Sequence, residues 1–279
     1  MQKYTLLIVS LLLAGYAATA QQRIVTAGSS SSEIVCALGL CDKIVATDRT
    51  SLYPAKLQAL PSIGYRTSIS AEGIISQRPD LVIFEQEYVK DELIDQLKST
   101  GIETLIVEQE SNFESTQQRI RAIAKALKKG KEGEALIRKI SAELDELQQK
   151  VDATQERPKV LCVYARGHGN MQVAGRNTPF TLLEVAGTRN AVPDVDGYKP
   201  LNAESLIQAN PDYILFFESG LQSIGGIEKA LEITGVKQTT AGKKRQVIAM
   251  DGVMLTNWGP RVAQAAEQLF LLTHPEGNN

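Results

Sequence analysis

Gly64-Tyr65-Arg66-Thr67-Ser68-Ile69-Ser70-Ala71-Glu72-Gly73-Ile74-Ile75-Ser76-Gln77-Arg78-Pro79-Asp80-Leu81-Val82-Ile83-Phe84 is restated much later in the chain as Gly197-Tyr198-Lys199-Pro200-Leu201-Asn202-Ala203-Glu204-Ser205-Leu206-Ile207-Gln208-Ala209-Asn210-Pro211-Asp212-Tyr213-Ile214-Leu215-Phe216. From Ala71 and Ala203 onward the copies align without a gap. Their separation far exceeds the roughly 20–50 residue period of solenoids and propellers, so the repeating unit is a lobe. Each copy has one grammar. Ser70 and Asn202 are good N-caps, a glutamate falls in the first helical turn, apolar residues follow, and a proline ends the helix before an apolar run. That pattern predicts loop, short helix and buried strand, twice.

The chain of 279 residues is 43% hydrophobic, enough for two cores. Its first twenty residues read as an export signal: Lys3 gives a positive start, Leu6 to Leu13 an apolar centre, and Ala18-Thr19-Ala20 a cleavage site before Gln21. The residue after that point is Gln21 and not a cysteine, and no later apolar run is long enough to span a bilayer, so a periplasmic mature protein without a lipid or membrane anchor is expected. The formal net charge of −2 argues against nucleic acid as partner. Cys36, Cys41 and Cys162 allow one bridge in an oxidising compartment, and Cys36–Cys41 is the pair that the sequence brings close. The expectation is instead that these cysteines are small buried hydrophobes.

Alternating elements surround the repeat. Strands are predicted at Arg23–Ala27, Lys43–Ala46, Leu81–Phe84 and Thr104–Val107, with helices over Ser29–Leu38 and Asp91–Ser99. The second half offers strands at Lys159–Tyr164, Tyr213–Phe217 and Gln246–Ala249, and helices at Thr181–Ala186, Ile227–Leu231 and Arg261–Leu272. This is the βαβ signature of a parallel sheet covered by helices. Between the halves, Ile120, Ile123, Leu127, Leu136, Ile140, Leu144, Leu147 and Val151 recur at helical spacing among charged residues, with Gly130 and Gly133 read as an interruption. A helix from Glu134 to Thr154 is about 30 Å long, enough to bridge two lobes. The fold class is therefore α/β: two Rossmann-like lobes (21–113 and 157–279) joined through a helical segment (114–156) that contains a spine helix, with a ligand cleft between them.

The Gly-Tyr, Ser-Ala-Glu-Gly and Arg-Pro-Asp run, the Gly-Tyr-Lys-Pro-Leu-Asn-Ala-Glu second copy, Ala174-Gly175-Arg176-Asn177-Thr178, and Met250-Asp251 with Gly259-Pro260-Arg261 resemble the periplasmic haem-binding proteins of bacterial haem ABC importers. The resemblance runs from Arg23 to Leu272. Its frame is shared with the wider siderophore and vitamin B12 binding proteins, and the tyrosine ahead of the first glutamate points to haem. It implies a monomeric carrier with no catalysis, which delivers ferric haem to a permease driven by an ATPase.

Chemistry supports Tyr65 as the iron ligand, since a phenolate is a hard anionic oxygen and tyrosine is an axial haem ligand. A free phenol titrates near pH 10, so the iron and a nearby cation must favour ionisation. Arg66, immediately next, is the candidate for that cation and a candidate binding residue, whereas the resembling family places its arginine two positions after the tyrosine, where this chain has Thr67. On a strand-like segment neighbouring side chains point opposite ways, which would part Arg66 from Tyr65. The resemblance makes His168, in the Arg166-Gly167-His168-Gly169-Asn170-Met171 loop, the candidate second iron ligand, while Met171 reads as packing and His274 falls in a polar tail. Tyr198 and Trp258 are candidate porphyrin walls. The helix N-terminus at Ser29 and Ser30 is a candidate seat for the propionates, with Arg176, Arg49 and Arg189 as cationic alternatives. Glu72 and Glu204 either serve the helix dipole, an effect of about 0.3–1 kcal/mol, or, as the resemblance implies, dock onto permease arginines. A corrinoid or ferric siderophore carrier would share this frame. An exported hydrolase using the Ser29–Ser32 run is the alternative from another class, although no GxSxG elbow or HExxH is present.

Overall fold

The structure, a computed structural model, describes residues 22–275. The expected export signal, 1–20, and its cleavage point near Ala20-Gln21 lie outside them. Among the described residues no helix is long and apolar enough to cross a membrane.

The first lobe runs β1 (Ile24–Ala27), α1 (Ser29–Ala37), β2 (Ile44–Thr47), α2 (Ala71–Ile75), β3 (Leu81–Glu85), α3 (Asp91–Ser99) and β4 (Glu103–Val107). Its sheet has the order β2-β1-β3-β4 with every pairing parallel. β1 and β3 are buried throughout, which is why they read as continuous apolar runs rather than alternating ones. At the end of α1, Gly39 takes a left-handed turn (φ 79°). The chain returns, Leu40 donates to the Val35 carbonyl at 3.1 Å, and Cys41 forms a disulfide with Cys36. The expectation of unpaired cysteines is corrected for this pair. Cys162 alone stays free, and is buried.

Two helices follow, α4 (Phe113–Ala126) and α5 (Gly130–Ala153). The 24 residues of α5 make it about 36 Å long. The break between them falls at Leu127–Lys129, where Lys128 has φ 56°, and not at the glycines. Gly133 lies inside α5 because a Cβ there would stand 2.6 Å from that of Ala124, where α4 crosses closely.

The second lobe comprises β5 (Lys159–Ala165), β6 (Met171–Ala174), α6 (Leu182–Val185), β7 (Arg189–Asn190), β8 (Tyr198–Pro200), α7 (Ala203–Ala209), β9 (Tyr213–Phe217), α8 (Glu218–Ser223), α9 (Ile227–Leu231), α10 (Thr240–Lys243), β10 (Val247–Met250), α11 (Gly252–Thr256) and α12 (Val262–Thr273). Its sheet order is β10-β9-β5-β6-β8, with β7 beside β5. Here the parallel expectation is only half met, because β6 runs antiparallel to both β5 and β8. The cause is local: Arg166 donates to the Asn170 carbonyl at 2.9 Å and closes a hairpin over Gly167 (φ 79°).

The restated phrase folds alike in both lobes. Ser70 Oγ caps α2 by accepting from the Gly73 amide at 3.1 Å, and Asn202 Oδ1 caps α7 by accepting from the Ser205 amide at 2.8 Å. Arg78 and Asn210 both turn through left-handed backbone, φ 50° and 39°, ahead of their prolines. Asp80 then accepts from the Arg23 amide, and Asp212 from the Lys159 amide, each at 2.8 Å. One aspartate per lobe thus registers the strand after the proline against its parallel neighbour.

One hydrophobic core passes through both lobes, joining Ile24 and Ile34 to Ile120, Ile140, Val160 and Leu269 by way of α4, α5 and α12. The outer sheet faces have separate cores, around Val82 and Phe84 in the first lobe and around Leu161 and Phe216 in the second.

Candidate functional site

The carboxyl ends of both sheets face one cleft of about 460 Å³, within the roughly 300–1,000 Å³ of small-molecule sites. Open α/β sheets bind ligands at this edge because the loops there diverge. Ser29 after β1, Thr50 after β2 and Glu85 at the end of β3 line one side; Tyr164 on β5, Phe217 at the end of β9 and Asp251 after β10 line the other.

The first-lobe wall is polar. Arg66 lines the cleft, while Tyr65, the residue before, is not itself among the lining residues; Tyr65 enters a 3-10 turn (Arg66–Ser68), with its amide donating to Ser68 Oγ and that hydroxyl donating to the Tyr65 carbonyl, both at 2.9 Å. The segment is therefore not strand-like, and Arg66 adopts φ 45°. Its guanidinium carbon lies 5.7 Å from the Tyr65 ring centroid and 5.0 Å from that of Tyr88, so the separation expected from strand alternation does not occur. Tyr65 is 43% exposed. Deeper in, buried Asp48 accepts from the Tyr88 hydroxyl, from Ser51 Oγ at 2.7 Å and from the Gly28 amide at 3.1 Å. Burial, and then the Asp48 charge, push the Tyr88 phenol far up.

Glu85 closes the floor. Its Oε1 accepts from the Ser31 amide at 2.9 Å, in the first turn of α1. The carboxyl is pushed up to about 7, chiefly by burial, against the pull of the Ser31 amide and the Arg119 charge. The helix N-terminus proposed as a propionate seat thus already holds a carboxyl group of the protein. Spacing alone did not single out Glu85, because the apolar run before it ends at Phe84 and a following acid reads as loop.

The second-lobe wall is aromatic. Tyr164 meets Tyr198 edge-on at 6.1 Å and Phe217 at 5.8 Å, while Phe180 stacks on Phe217 at 5.4 Å. Tyr198 is 40% exposed and abuts the cleft through Tyr164; its phenol is raised by burial and by Tyr164.

Behind the cleft a polar seam ties α1 and α4 to residues 257–261. Ser29 Oγ donates to Asn257 Oδ1 at 2.9 Å. Arg119, 1% exposed, donates to Ser30 Oγ at 2.6 Å and to the Trp258 carbonyl at 3.3 Å. Arg261 forms a bidentate pair with Glu33 at 2.8 and 2.6 Å and lies 3.9 Å from the centroid of the Tyr53 ring. Burial pushes the Glu33 carboxyl above its ordinary value despite the guanidinium beside it.

Several expected site residues lie elsewhere. Trp258 is buried in the shared core and does not line the cleft, since its carbonyl is drawn inward by Thr116 and Arg119. His168 sits on the β5–β6 hairpin and lines a separate depression with Met171, Lys229 and Glu232; the hairpin carries it off the cleft edge. Arg176 is exposed beside Asp196, 4.0 Å away, and Arg49 and Arg189 are exposed. Ser30 is buried under Arg119 rather than open to a ligand. His274 is no polar tail residue: it is 3% exposed and stacks on Phe270 at 4.5 Å. Glu72 and Glu204 are exposed in matching first turns of α2 and α7.

Residues 24–254 match the family of periplasmic binding proteins. In structure the chain is similar to the apo form of the periplasmic heme-binding protein RhuT from Roseiflexus sp. RS-1, with a TM-score of 0.86, 35% identity, and 92% of this chain and 99% of that one covered. In sequence it is 26% identical to the uncharacterized ABC transporter substrate-binding lipoprotein YvrC of Bacillus subtilis, over 91% of this chain and 81% of the relative. It is 24% identical to the vitamin B12-binding protein of Vibrio campbellii, over 76% of each. These are transport proteins, and the hydrolase alternative falls with them. The cleft between two α/β lobes, the continuous core and the family match together show that this chain belongs to the periplasmic binding proteins, the substrate-binding components of ABC transporters.

Proposed function

We propose that this protein captures ferric haem in the interlobe cleft, with the Tyr65 phenolate on the iron, and hands it to an ABC permease that docks on Glu72 and Glu204. The observation that carries the reading is the pairing of an exposed tyrosine beside a cleft-lining cation, Arg66, with an aromatic wall on the other lobe. Arg66 offsets the charge of a phenolate, and Tyr164 and Phe217, with Tyr198 packed edge-on against Tyr164, offer aromatic surface for a porphyrin to pack against. Similarity to RhuT, named as a heme-binding protein, supports it. His168 is not part of this reading, because the hairpin holds it in another depression.

Titration of residues 21–279 with hemin tests the proposal: a Soret shift with a high-spin ferric spectrum is expected, lost on Tyr65→Ala. The second reading, a corrinoid carrier, draws on the Vibrio campbellii relative. Binding of cyanocobalamin with no Soret change on hemin addition would replace the first reading by the second.

A further inference from the structure

Glu85 is a buried acid of the cleft floor that haem capture by Tyr65 leaves unused. Its residue is 2% exposed yet lines the cleft. Oε1 is held by the Ser31 amide, and the Ser30 amide faces the same carboxyl. The carboxyl packs on bare backbone: Gly28 has φ 126°, and any side chain there would overlap it. The position is specific to one lobe, because the residue following the matching Phe216 is Phe217.

The groups that face Glu85 come from four elements. α1 contributes the Ser31 and Ser30 amides, the loop after β2 contributes Asp48, the loop after β3 contributes Tyr88, and α4 contributes Arg119. Arg66 lines the same cleft, and Glu218 and Asp251 line it from the other lobe. Asp48 is held by Gly28, Thr50, Ser51 and Tyr88. Arg119 points its guanidinium at Ser30, Trp258 and the Glu108 carbonyl. Neither forms a hydrogen bond to Glu85. A second negative charge brought to this floor therefore adds to the cost of the charged carboxylate, which Arg119 offsets without a hydrogen bond, and the cheapest response is for that acid to take a proton.

We propose that Glu85 is a proton-coupled carboxylate receptor: in its acid form it donates from Oε2 to a carboxylate of the bound ligand, so that seating one such carboxylate takes up one proton from solvent. The step balances as Glu85 carboxylate plus a solvent proton giving the carboxylic acid, whose O–H then bonds the ligand oxygen. Burial that already favours the acid form near neutral pH makes this uptake accessible. The inference rests on the haem reading, in which the ligand carboxylate is a propionate.

Calorimetric titration with hemin in buffers of different ionisation enthalpy counts the protons. Coordination by Tyr65 releases the phenol proton in wild type and in Glu85→Gln alike, so the diagnostic quantity is the difference between the two proteins. Wild type is expected to take up about one proton more than Glu85→Gln at pH 8 and none more at pH 5.5. Its affinity relative to the variant falls by up to about tenfold per pH unit above pH 7. Hemin dimethyl ester, which has no free carboxylate, abolishes the difference. Equal proton counts in the two proteins, or a difference that survives with the ester, overturn the receptor while leaving haem capture standing. Failure of wild type to bind hemin at all overturns both. Should the variant not fold, the pH 8 proton count of wild type with hemin against its dimethyl ester decides alone.

Discussion

The two copies of the restated phrase agree where they build scaffold and part where they meet the cleft. Cap, left-handed turn, proline and strand-registering aspartate are the same in both lobes. At the far end of the strand, one lobe places Glu85 and the other Phe217. At the near end, Tyr65 enters a 3-10 turn while Tyr198 opens a strand. A shared frame thus presents a charged, hydrogen-bonding wall and an aromatic one. Such a cleft favours a ligand that joins apolar to polar groups, which a uniform cleft would not select.

The comparison can be broken most forcefully at its heads. Tyr65→Ala is expected to weaken hemin binding by roughly 100-fold or more, about 3 kcal/mol, and Tyr198→Ala by roughly tenfold or less, both read from the Soret titration; equal losses would erase the asymmetry. The strand ends come next. Burial raises Glu85 from 4.5 to about 7, so the stability it contributes is complete below pH 4.5 and lost as pH rises through about 7. Denaturant unfolding should therefore show wild type losing stability against Glu85→Gln between pH 5 and 8, by on the order of 3 kcal/mol, while Phe217→Leu shows no such pH dependence. On the outer surface, Glu72→Ala and Glu204→Ala should each reduce permease-dependent hemin delivery by roughly tenfold, about 1.4 kcal/mol of docking energy, with hemin affinity unchanged; a loss confined to one of them would show that the two lobes dock unequally. The smallest effect belongs to the scaffold: Asp80→Ala and Asp212→Ala should lower stability by about 1 kcal/mol each and by similar amounts in the same unfolding measurement.

Local rules made the frame readable. Cap, proline and apolar run act within a few residues, so Ser70, Pro79 and the β3 strand, and their second-lobe counterparts, could be placed from spacing alone. Features decided by distant partners could not. Gly133 looks like a helix breaker until α4 is laid against it. Trp258 looks like a ligand wall until Thr116 and Arg119 draw its carbonyl inward. His168 follows a strand, as a site residue would, but the hairpin that turns it away is closed by Asn170 and a glycine whose φ the sequence does not display. Glu85 had one legible trace: it stands one residue beyond the matched strands, where the two copies first exchange an acid for an aromatic.

The core that runs unbroken from α1 through α5 to α12 has a mechanical meaning. Together with the Glu33–Arg261 pair it makes the joint between the lobes a weld rather than a bearing. Prising the jaws apart would strip apolar surface and this ion pair of their partners, so the joint opposes a wide opening of the cleft. A transporter gripping both lobes would then sense cargo by what fills the gap, and the work of forcing that gap open would come from ATP hydrolysis at the membrane instead of from the carrier's own spring.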